Sequence, residues 1–229
     1  MKILPSFISD ELCIIRAFND KQEAQISDFI DNIEQHIKVA EVERWGPNLS
    51  GDGDIGIDQI EHLAGISEEE YDIRELFREV MPIYQRQAML LTLWGVLDSE
   101  IKDMYLYVSG EKCLPEKSKK ISDFKHVINC LSKIGIPPEP TKEYEFSVKT
   151  LDCEVRLIRN AWAHNSGKDP KNKIPKGIPG IGEKYSQIAI SKEYINKVVS
   201  LMHALSQELN KSVRNYTIAT NKQKNANHN

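Results

Sequence analysis

Residues 89–108 read MLLTLWGVLDSEIKDMYLYV and carry a wide apolar stripe. Apolar side chains recur at intervals of three and four residues, as in Leu93, Leu97, Ile101 and Met104, which is the spacing of one helix face. Because the stripe is wide, we predict that this helix is buried at the centre of the core. Period-two alternation, which marks strands, is scarce along the chain, so the predicted fold class is all-α.

The apolar pattern predicts three further helices after this one, and the four together favour an antiparallel four-helix bundle. Ser122 is a plausible N-cap of a helix that stops before Gly135 and Pro137. The other two helices are predicted over residues 142–164 and 191–214, where apolar side chains again share one face.

The chain is predicted to contain an N-terminal helical extension (residues 1–66), a bundle domain (67–214) and a disordered tail (215–229). Within the extension, apolar spacing predicts a helix from about Lys21 to about Trp45, and a loop rich in glycine and aspartate follows it. The tail is polar and has no helical pattern, which is typical of a frayed terminus.

Two local signals stand in front of the central helix. Ser67 precedes three consecutive glutamates, as an N-cap precedes a first turn in which the helix dipole favours acids. Pro82 lies inside the apolar pattern, and it predicts a kink or a break near Met81 because proline lacks a backbone N–H.

The composition is that of an ordinary globular protein. The chain has 30 basic and 34 acidic side chains, a net charge of -4, so any phosphate binding has to be local. The four cysteines show no metal-binding spacing, and we expect reduced thiols and no metal site. Neither a signal peptide nor a membrane-spanning segment is recognisable, and the expected localisation is therefore cytoplasmic.

Residues 157–167 read LIRNAWAHNSG and form the segment most specific for a function. Asn165 and Gly167 tolerate the left-handed conformation that ends a helix, so we predict that His164 lies in the last turn. An imidazole at such a position can exchange protons near neutral pH.

Spacing along this helix separates its polar side chains. Asn160 and His164 share a face, whereas Arg159 diverges from His164 by roughly 140° on an ideal helix. Arg159 and His164 can therefore meet at one phosphate only if the last turn is distorted or if a second copy of the helix faces the first. From residue types alone, a surface ion pair for Arg159 and a capping role for His164 stay an open alternative.

Arg159, Asn160 and His164 resemble the signature of HEPN-domain ribonucleases, an Arg usually followed by a polar residue and then, after four to six intervening residues, a His. The predicted order of helices around the motif is also similar to that family. The resemblance covers roughly residues 67–214. It implies a homodimer that cleaves RNA without a metal or other cofactor, in a toxin or antiphage role, with a cognate antitoxin or regulatory protein as a further partner.

The resemblance also implies a role for each residue of the motif. His164 would act as general base on a ribose 2′-hydroxyl or as general acid on the leaving 5′-oxygen. Arg159 would stabilise charge on the scissile phosphate, and Asn160 would orient His164 or bind the phosphate. The expected products carry a 2′,3′-cyclic phosphate and a 5′-hydroxyl.

A basic segment follows the motif directly. Residues 165–187 hold five lysines against two acids, and their glycines and prolines predict a loop. We expect this loop to track the RNA backbone through four lysines, namely Lys168, Lys171, Lys173 and Lys176. The alternative is a solvated loop without a function.

Two other classes of function are compatible with the sequence. The first is a catalytically silent HEPN module that dimerises or binds nucleic acid within a larger assembly. The second is a helical adaptor in which the motif occurs by chance.

Overall fold

The computed structural model describes residues 6–47 and 53–226. In chain order its elements are α1 (Ser9–Asp31), α2 (Ile33–His36), β1 (Lys38–Pro47), β2 (Gly53–Leu63), β3 (Ile66–Ser67), α3 (Ile73–Glu75), α4 (Met81–Ser109), α5 (Asp123–Lys133), α6 (Lys142–Thr150), α7 (Arg156–Asn165), β4 (Ile181–Lys184), β5 (Gln187–Ile190) and α8 (Lys192–Ala226). One π-helical turn, Leu76–Val80, leads into α4, and another, Leu151–Val155, joins α6 to α7.

The prediction of an all-α fold is wrong. Helices dominate, but the described residues also form two antiparallel sheets, one of three strands in the order β1-β2-β3 and one of two strands, β4-β5. The chain divides into two compact units. The first comprises the N-terminal segment up to Asn19 and everything from Arg86 onwards, and the second is Asp20–Gln85.

The predicted domains at 1–66, 67–214 and 215–229 stay a prediction. Residues 1–5 and 48–52 of the extension and 227–229 of the tail lie outside the described residues. The last helix runs to Ala226, well beyond its predicted end near residue 214.

The core of the first unit is built from the helices that the apolar pattern predicted. Side chains from four helical segments are almost fully buried in it: Leu93, Leu97, Ile101 and Met104 of α4, Val127 and Leu131 of α5, Ile158 of α7, and Ile195, Met202, Leu205 and Leu209 of α8. Helix α6 and the π turn after it both contact α8. The prediction that residues 89–108 form a buried helix is confirmed.

Polar side chains fix where the helices of this unit begin. The Ser122 side chain accepts a hydrogen bond from the Lys125 backbone N–H at 3.0 Å, so the predicted N-cap of α5 is confirmed. Asn210 of α8 accepts from the Phe7 N–H at 3.0 Å and donates to the Phe7 carbonyl at 2.9 Å. These two bonds hold the segment before α1 on α8.

In the second unit, the predicted helix from Lys21 to Trp45 is wrong beyond residue 36, because Lys38–Pro47 is a strand. Its partner β2 was expected to be a loop. The register pairs Ala40 with Ile60, and Ile60 is buried. It also pairs Trp45 with Ile55, and both of these side chains are exposed. Since both faces of this hairpin carry apolar side chains, the alternation that marks a strand is obscured.

The N-cap predicted at Ser67 is also wrong. Ser67 ends β3, paired with His62, and its carbonyl accepts the Glu70 N–H at 3.2 Å in a turn. The helix begins five residues later, where the Asp72 side chain accepts the Glu75 N–H at 2.9 Å. An aspartate with β-region backbone is as good an N-cap as serine, and the strand pairing decides between the two.

The kink or break expected near Met81 stays a prediction, since helix α4 begins at Met81 and continues through Pro82. A π-helical turn occupies Leu76–Val80, and the Met81 N–H donates to the Leu76 carbonyl. Pro82, two residues after this turn, has no N–H to donate.

Arg74 joins two carboxylates on the surface of the second unit. Its guanidinium binds Glu34 at 2.8 Å and Glu61 at 2.5 Å, and we call these three side chains the Arg74 cluster. The hydrogen bonds from Arg74 hold the pKa of both carboxyls below their ordinary value, and the two carboxylates raise the pKa of Arg74. The cluster lies beside a small core of Ile33, Leu63 and Ile73.

Within residues 6–47 and 53–226, the chain has no helix with the length and apolar character that crossing a membrane requires.

Candidate functional site

His164 lies in the last turn of α7, as predicted. The residues that end the helix in the left-handed conformation are Ser166, with φ 51°, and Gly167, with φ 77°. Their backbone N–H groups both donate to the Ala161 carbonyl. The helix end is therefore closed by backbone hydrogen bonds, and the His164 side chain is not required as a cap.

Contacts beyond the helix hold this terminus in place. Gly167 is buried, and a Cβ added to it would lie 2.8 Å from the indole ring of Trp162. The Gly167 carbonyl accepts the Ile188 N–H at 2.8 Å, and the Ser166 carbonyl accepts from the Gln187 side chain at 3.1 Å. The β4-β5 hairpin, which the sequence did not predict, therefore fixes the position of the turn that carries His164.

The imidazole of His164 is exposed. Among the described residues it has no hydrogen bond, ion pair or ring contact, which leaves both ring nitrogens accessible. A histidine in this state can accept or deliver a proton without first breaking an internal bond.

The Arg159 side chain is half-buried and is not part of an ion pair among the residues that the structure describes. Its Nη1 donates to Asn160 Oδ1 at 2.8 Å, and its Cζ lies 5.8 Å from the ring centroid of Trp94. Its Nε is buried and has no acceptor in the part of the chain that the structure describes. The surface ion pair considered from residue types is therefore not formed within these residues, and the guanidinium keeps unused donors.

A cavity of about 160 Å³ opens beside this guanidinium, and we call it the arginine pocket. Trp94 and Phe124 line it with aromatic rings, and its charged lining residues are Asp98, Lys117, Asp123, Arg156 and Arg159. Ser122 and Asn160 complete the lining. The pocket therefore lies where the N-terminus of α5 meets the first turns of α7.

Both carboxylates in the lining are bound by lysines. Asp98 pairs with Lys102, which is one turn further along α4, and Asp123 pairs with Lys117. The hydrogen bond from Lys117 lowers the pKa of the Asp123 carboxyl. These acids are thus neutralised by partners of their own and leave the charge on Arg159 uncompensated.

Arg156 is held by a network that the sequence analysis missed. Its Nε donates to Asp152 Oδ1 at 2.8 Å, and the Ser122 hydroxyl donates to the same oxygen at 2.6 Å. The two Nη groups of Arg156 have no acceptor among the described residues. Asp152 and Arg156 are an acid and a base four residues apart, which is a recognisable helix-pair signal, but only the fold brings Ser122 to them.

The structure brings some of the predicted site residues together and leaves others apart. Arg159 and Asn160 are hydrogen-bonded and line one pocket, whereas His164 does not line that pocket. Helix α7 is regular from Arg156 to Asn165, so the divergence of roughly 140° between Arg159 and His164 is retained. Within one chain, these two side chains do not face the same space.

Comparison of the chain with protein-family models, with curated proteins and with solved structures found no match.

The four lysines predicted to bind RNA are all exposed: Lys168, Lys171, Lys173 and Lys176. None of them has a carboxylate partner within the described part of the chain. Asp169, in the same segment, accepts the Ile174 N–H at 2.8 Å and so stabilises a local turn. The predicted loop ends at residue 180, and the strands of the β4-β5 hairpin replace its last part.

No group of three histidine, cysteine, aspartate or glutamate side chains with the geometry of a metal site occurs in residues 6–47 and 53–226.

Proposed function

We propose that the protein is a metal-independent endoribonuclease of the HEPN type that acts as a homodimer. The observation that carries the proposal is an exposed imidazole at the end of α7, one turn after the hydrogen-bonded Arg159–Asn160 pair. Within residues 6–47 and 53–226, the imidazole has no partner and the guanidinium has no carboxylate. An arginine without a carboxylate favours an anionic ligand, and its fork of donors fits phosphate oxygens.

The proposed reaction is an attack of the ribose 2′-oxygen on the adjacent phosphorus. The 2′-O–P bond forms, the P–O5′ bond breaks, and the products carry a 2′,3′-cyclic phosphate and a 5′-hydroxyl. One His164 takes the proton of the 2′-hydroxyl, and a protonated His164, which the partner copy would supply, gives a proton to the leaving 5′-oxygen. Each such transfer typically contributes about 10²- to 10⁴-fold to the rate.

Arg159 and Asn160 would bind the phosphate in this reaction. The carbonyl oxygen of Asn160 already accepts from Arg159, so the donors that Asn160 has left are those of its Nδ2. These donors suit a phosphate oxygen, which favours the phosphate-binding role over the alternative in which Asn160 only orients His164. Arg159 would stabilise the charge that develops on the non-bridging oxygens.

The direct test is cleavage of labelled single-stranded RNA in the presence of EDTA. We expect the parent to cleave, His164→Ala and Arg159→Ala to lose at least about 100-fold in rate, and His203→Ala, an exposed histidine of α8, to match the parent. The 3′ ends should resist phosphatase until the cyclic phosphate is opened by acid, and DNA of the same sequence should survive. Cleavage by His164→Ala at the parental rate would refute the assignment.

A test of RNA binding uses the four exposed lysines Lys168, Lys171, Lys173 and Lys176. Changing all four to glutamine should weaken binding of a single strand and reduce its salt dependence, since each phosphate contact releases counterions. An equal change at four exposed lysines elsewhere, Lys112, Lys119, Lys120 and Lys133, is the matched control. Unchanged binding in the first variant would leave the loop as a solvated segment.

The second candidate is a catalytically silent HEPN module that dimerises or binds nucleic acid. The observation in its favour is that Arg159 and His164 do not line one cavity within a chain. This candidate predicts that the parent and both motif variants bind RNA alike and cleave none of several RNAs. Light scattering at micromolar concentration tests the dimer that both candidates share.

A further inference from the structure

We propose that Arg156 is a second phosphate-binding residue, which holds the backbone phosphate next to the one bound by Arg159 and Asn160. The proposal rests on the proposed function, since it assigns a further contact to the same RNA. Arg156 does not belong to the motif that suggested the nuclease, and its assignment comes from the geometry of the arginine pocket alone.

The first argument is the direction of the free donors. Arg156 lines the arginine pocket with Arg159, from which it is separated by three residues, so the two guanidinium groups lie on neighbouring parts of the same helix surface. Asp152 binds Arg156 only through Nε, and the Arg156 side chain is 26% exposed. The Nη edge, which is the edge that binds oxyanions in pairs, is left for a ligand.

The second argument is charge. The charged side chains that line the pocket, together with their ion-pair partners, comprise four cations and three carboxylates. The remaining positive charge lies in a small, partly enclosed space, where the electrostatic attraction for an anion is stronger than in bulk water. The first turn of α5 also lines this space and contributes its dipole to the same effect.

The third argument is position along the chain of the RNA. On a regular helix Arg156 lies about 6 Å along the axis from Asn160, which with Arg159 would hold the scissile phosphate. Arg156 is therefore displaced from Asn160 by about one helical turn. A guanidinium at that distance suits a neighbouring phosphate better than the scissile one.

Pre-organisation distinguishes Arg156 from an ordinary surface arginine. Asp152 accepts from both Arg156 and Ser122, and the Asp152 backbone carbonyl also accepts from Arg156 Nε at 3.0 Å. The side chain is thereby held in one orientation before any ligand binds, which reduces the entropy lost on binding. The geometry is that of a binding residue with its supporting partners in place.

The experiment measures binding of a short single-stranded 2′-O-methyl RNA, which cannot be cleaved because its 2′-oxygen is blocked. Affinity is measured against salt concentration for the parent, Arg156→Gln, Arg156→Lys and Asp152→Asn. Arg214→Gln is the matched control, since Arg214 is exposed on α8 and does not line the pocket.

Loss of one phosphate contact should lower the slope of log K against log salt by about 0.7. We expect the lower slope in Arg156→Gln. Arg156→Lys and Asp152→Asn keep a cation at position 156, and Arg214 lies outside the pocket, so these three variants should keep the parental slope. Melting temperatures separate binding from folding, since a merely structural ion pair would lower them in Arg156→Gln and Asp152→Asn without moving the slope. With cleavable RNA, Arg156→Gln should raise KM and leave kcat unchanged.

The outcomes separate this proposal from the nuclease. A parent that cleaves RNA through His164, with an Arg156→Gln variant of parental slope, overturns the role of Arg156 and leaves the nuclease intact. A parent that cleaves nothing, but whose slope falls in Arg156→Gln, supports the phosphate site and removes the nuclease. A parent that does not bind the oligonucleotide overturns the phosphate site.

Discussion

Replacement of Gly167 by alanine should destabilise the protein strongly, although it adds only one methyl group. Gly167 has φ 77°, in the left-handed region where a Cβ costs about 1–2 kcal/mol. The added Cβ would also lie 2.8 Å from Cη2 and Cζ2 of Trp162, whose buried ring cannot move without displacing its neighbours. Overpacking of this kind costs about 1–3 kcal/mol. The two effects together predict that the free energy of unfolding falls by about 2–5 kcal/mol.

Gly95 provides a matched control, because its replacement by alanine should raise the stability of the protein. It lies within α4, is exposed, has no positive φ, and a Cβ added to it would meet no atom within 4 Å. Alanine is favoured over glycine in a helix by about 0.5–1 kcal/mol, so Gly95→Ala should stabilise the protein. The two variants should therefore differ by at least about 2.5 kcal/mol, although the chemical change is identical.

The assay is urea unfolding followed by far-UV circular dichroism, with the slope m compared between the variants. For a protein of this size we expect Gly167→Ala to melt lower by at least about 4 °C. Because Gly167 fixes the turn after His164, RNA cleavage measured where both variants are folded should also fall in Gly167→Ala and not in Gly95→Ala. A Gly167→Ala variant as stable as the parent would show that the close approach to Trp162 is wrong.

Three further predictions concern stability. Ser122→Ala should lower the free energy of unfolding in urea by about 1–3 kcal/mol, because it removes an N-cap and a hydrogen bond to a carboxylate. The control Ser118→Ala should stay within about 0.5 kcal/mol of the parent. Asn210→Ala should lower the free energy of unfolding by about 1–3 kcal/mol and speed proteolysis near Phe7, because it removes the acceptor of the Phe7 N–H and one of the donors to the Phe7 carbonyl; an unchanged digestion rate would contradict this. In the Arg74 cluster, folding lowers the pKa values of Glu34 and Glu61. The stability that they contribute is therefore present above their ordinary pKa of 4.5 and is lost as the pH falls through the lowered values. The free energy of unfolding of Arg74→Gln should fall less steeply with acid than that of the parent, and curves of equal slope would count against this prediction.

The sequence was sufficient for the helices whose stability comes from local periodicity and caps. The stripe of α4, the Ser122 cap of α5 and the glycine beyond α7 are all signals within a few residues of the feature they specify. It was insufficient for the β1-β2 hairpin, where pairing is between distant residues and apolar side chains occur on both faces. Trp45 was predicted at the end of a helix and Ile55 lay in the predicted loop, whereas the register shows that they are cross-strand neighbours.

The motif could be found from the sequence, whereas the arginine pocket could not. Arg159, Asn160 and His164 are close in sequence, and their relation follows from helix geometry. The pocket requires the N-terminus of α5 beside α7 and the indole of Trp94 against Arg159, and neither contact has a signal in the local sequence. The uncompensated charge on Arg159 therefore becomes visible only when every neighbouring carboxylate has been matched to its partner.

The geometry of α7 also bears on why a second copy matters to the proposed chemistry. The π turn at Leu151–Val155 ends before Arg156, so it leaves the relation between Arg159 and His164 unchanged. The last turn is regular, so no local distortion brings the two side chains together. If a guanidinium and an imidazole act on one phosphate, the imidazole has to come from another chain, and a two-fold axis near Asn160 would supply both pairs at once. The proposed reaction thus requires a dimer, and a strictly monomeric protein with full cleavage activity would contradict the proposed mechanism as a whole.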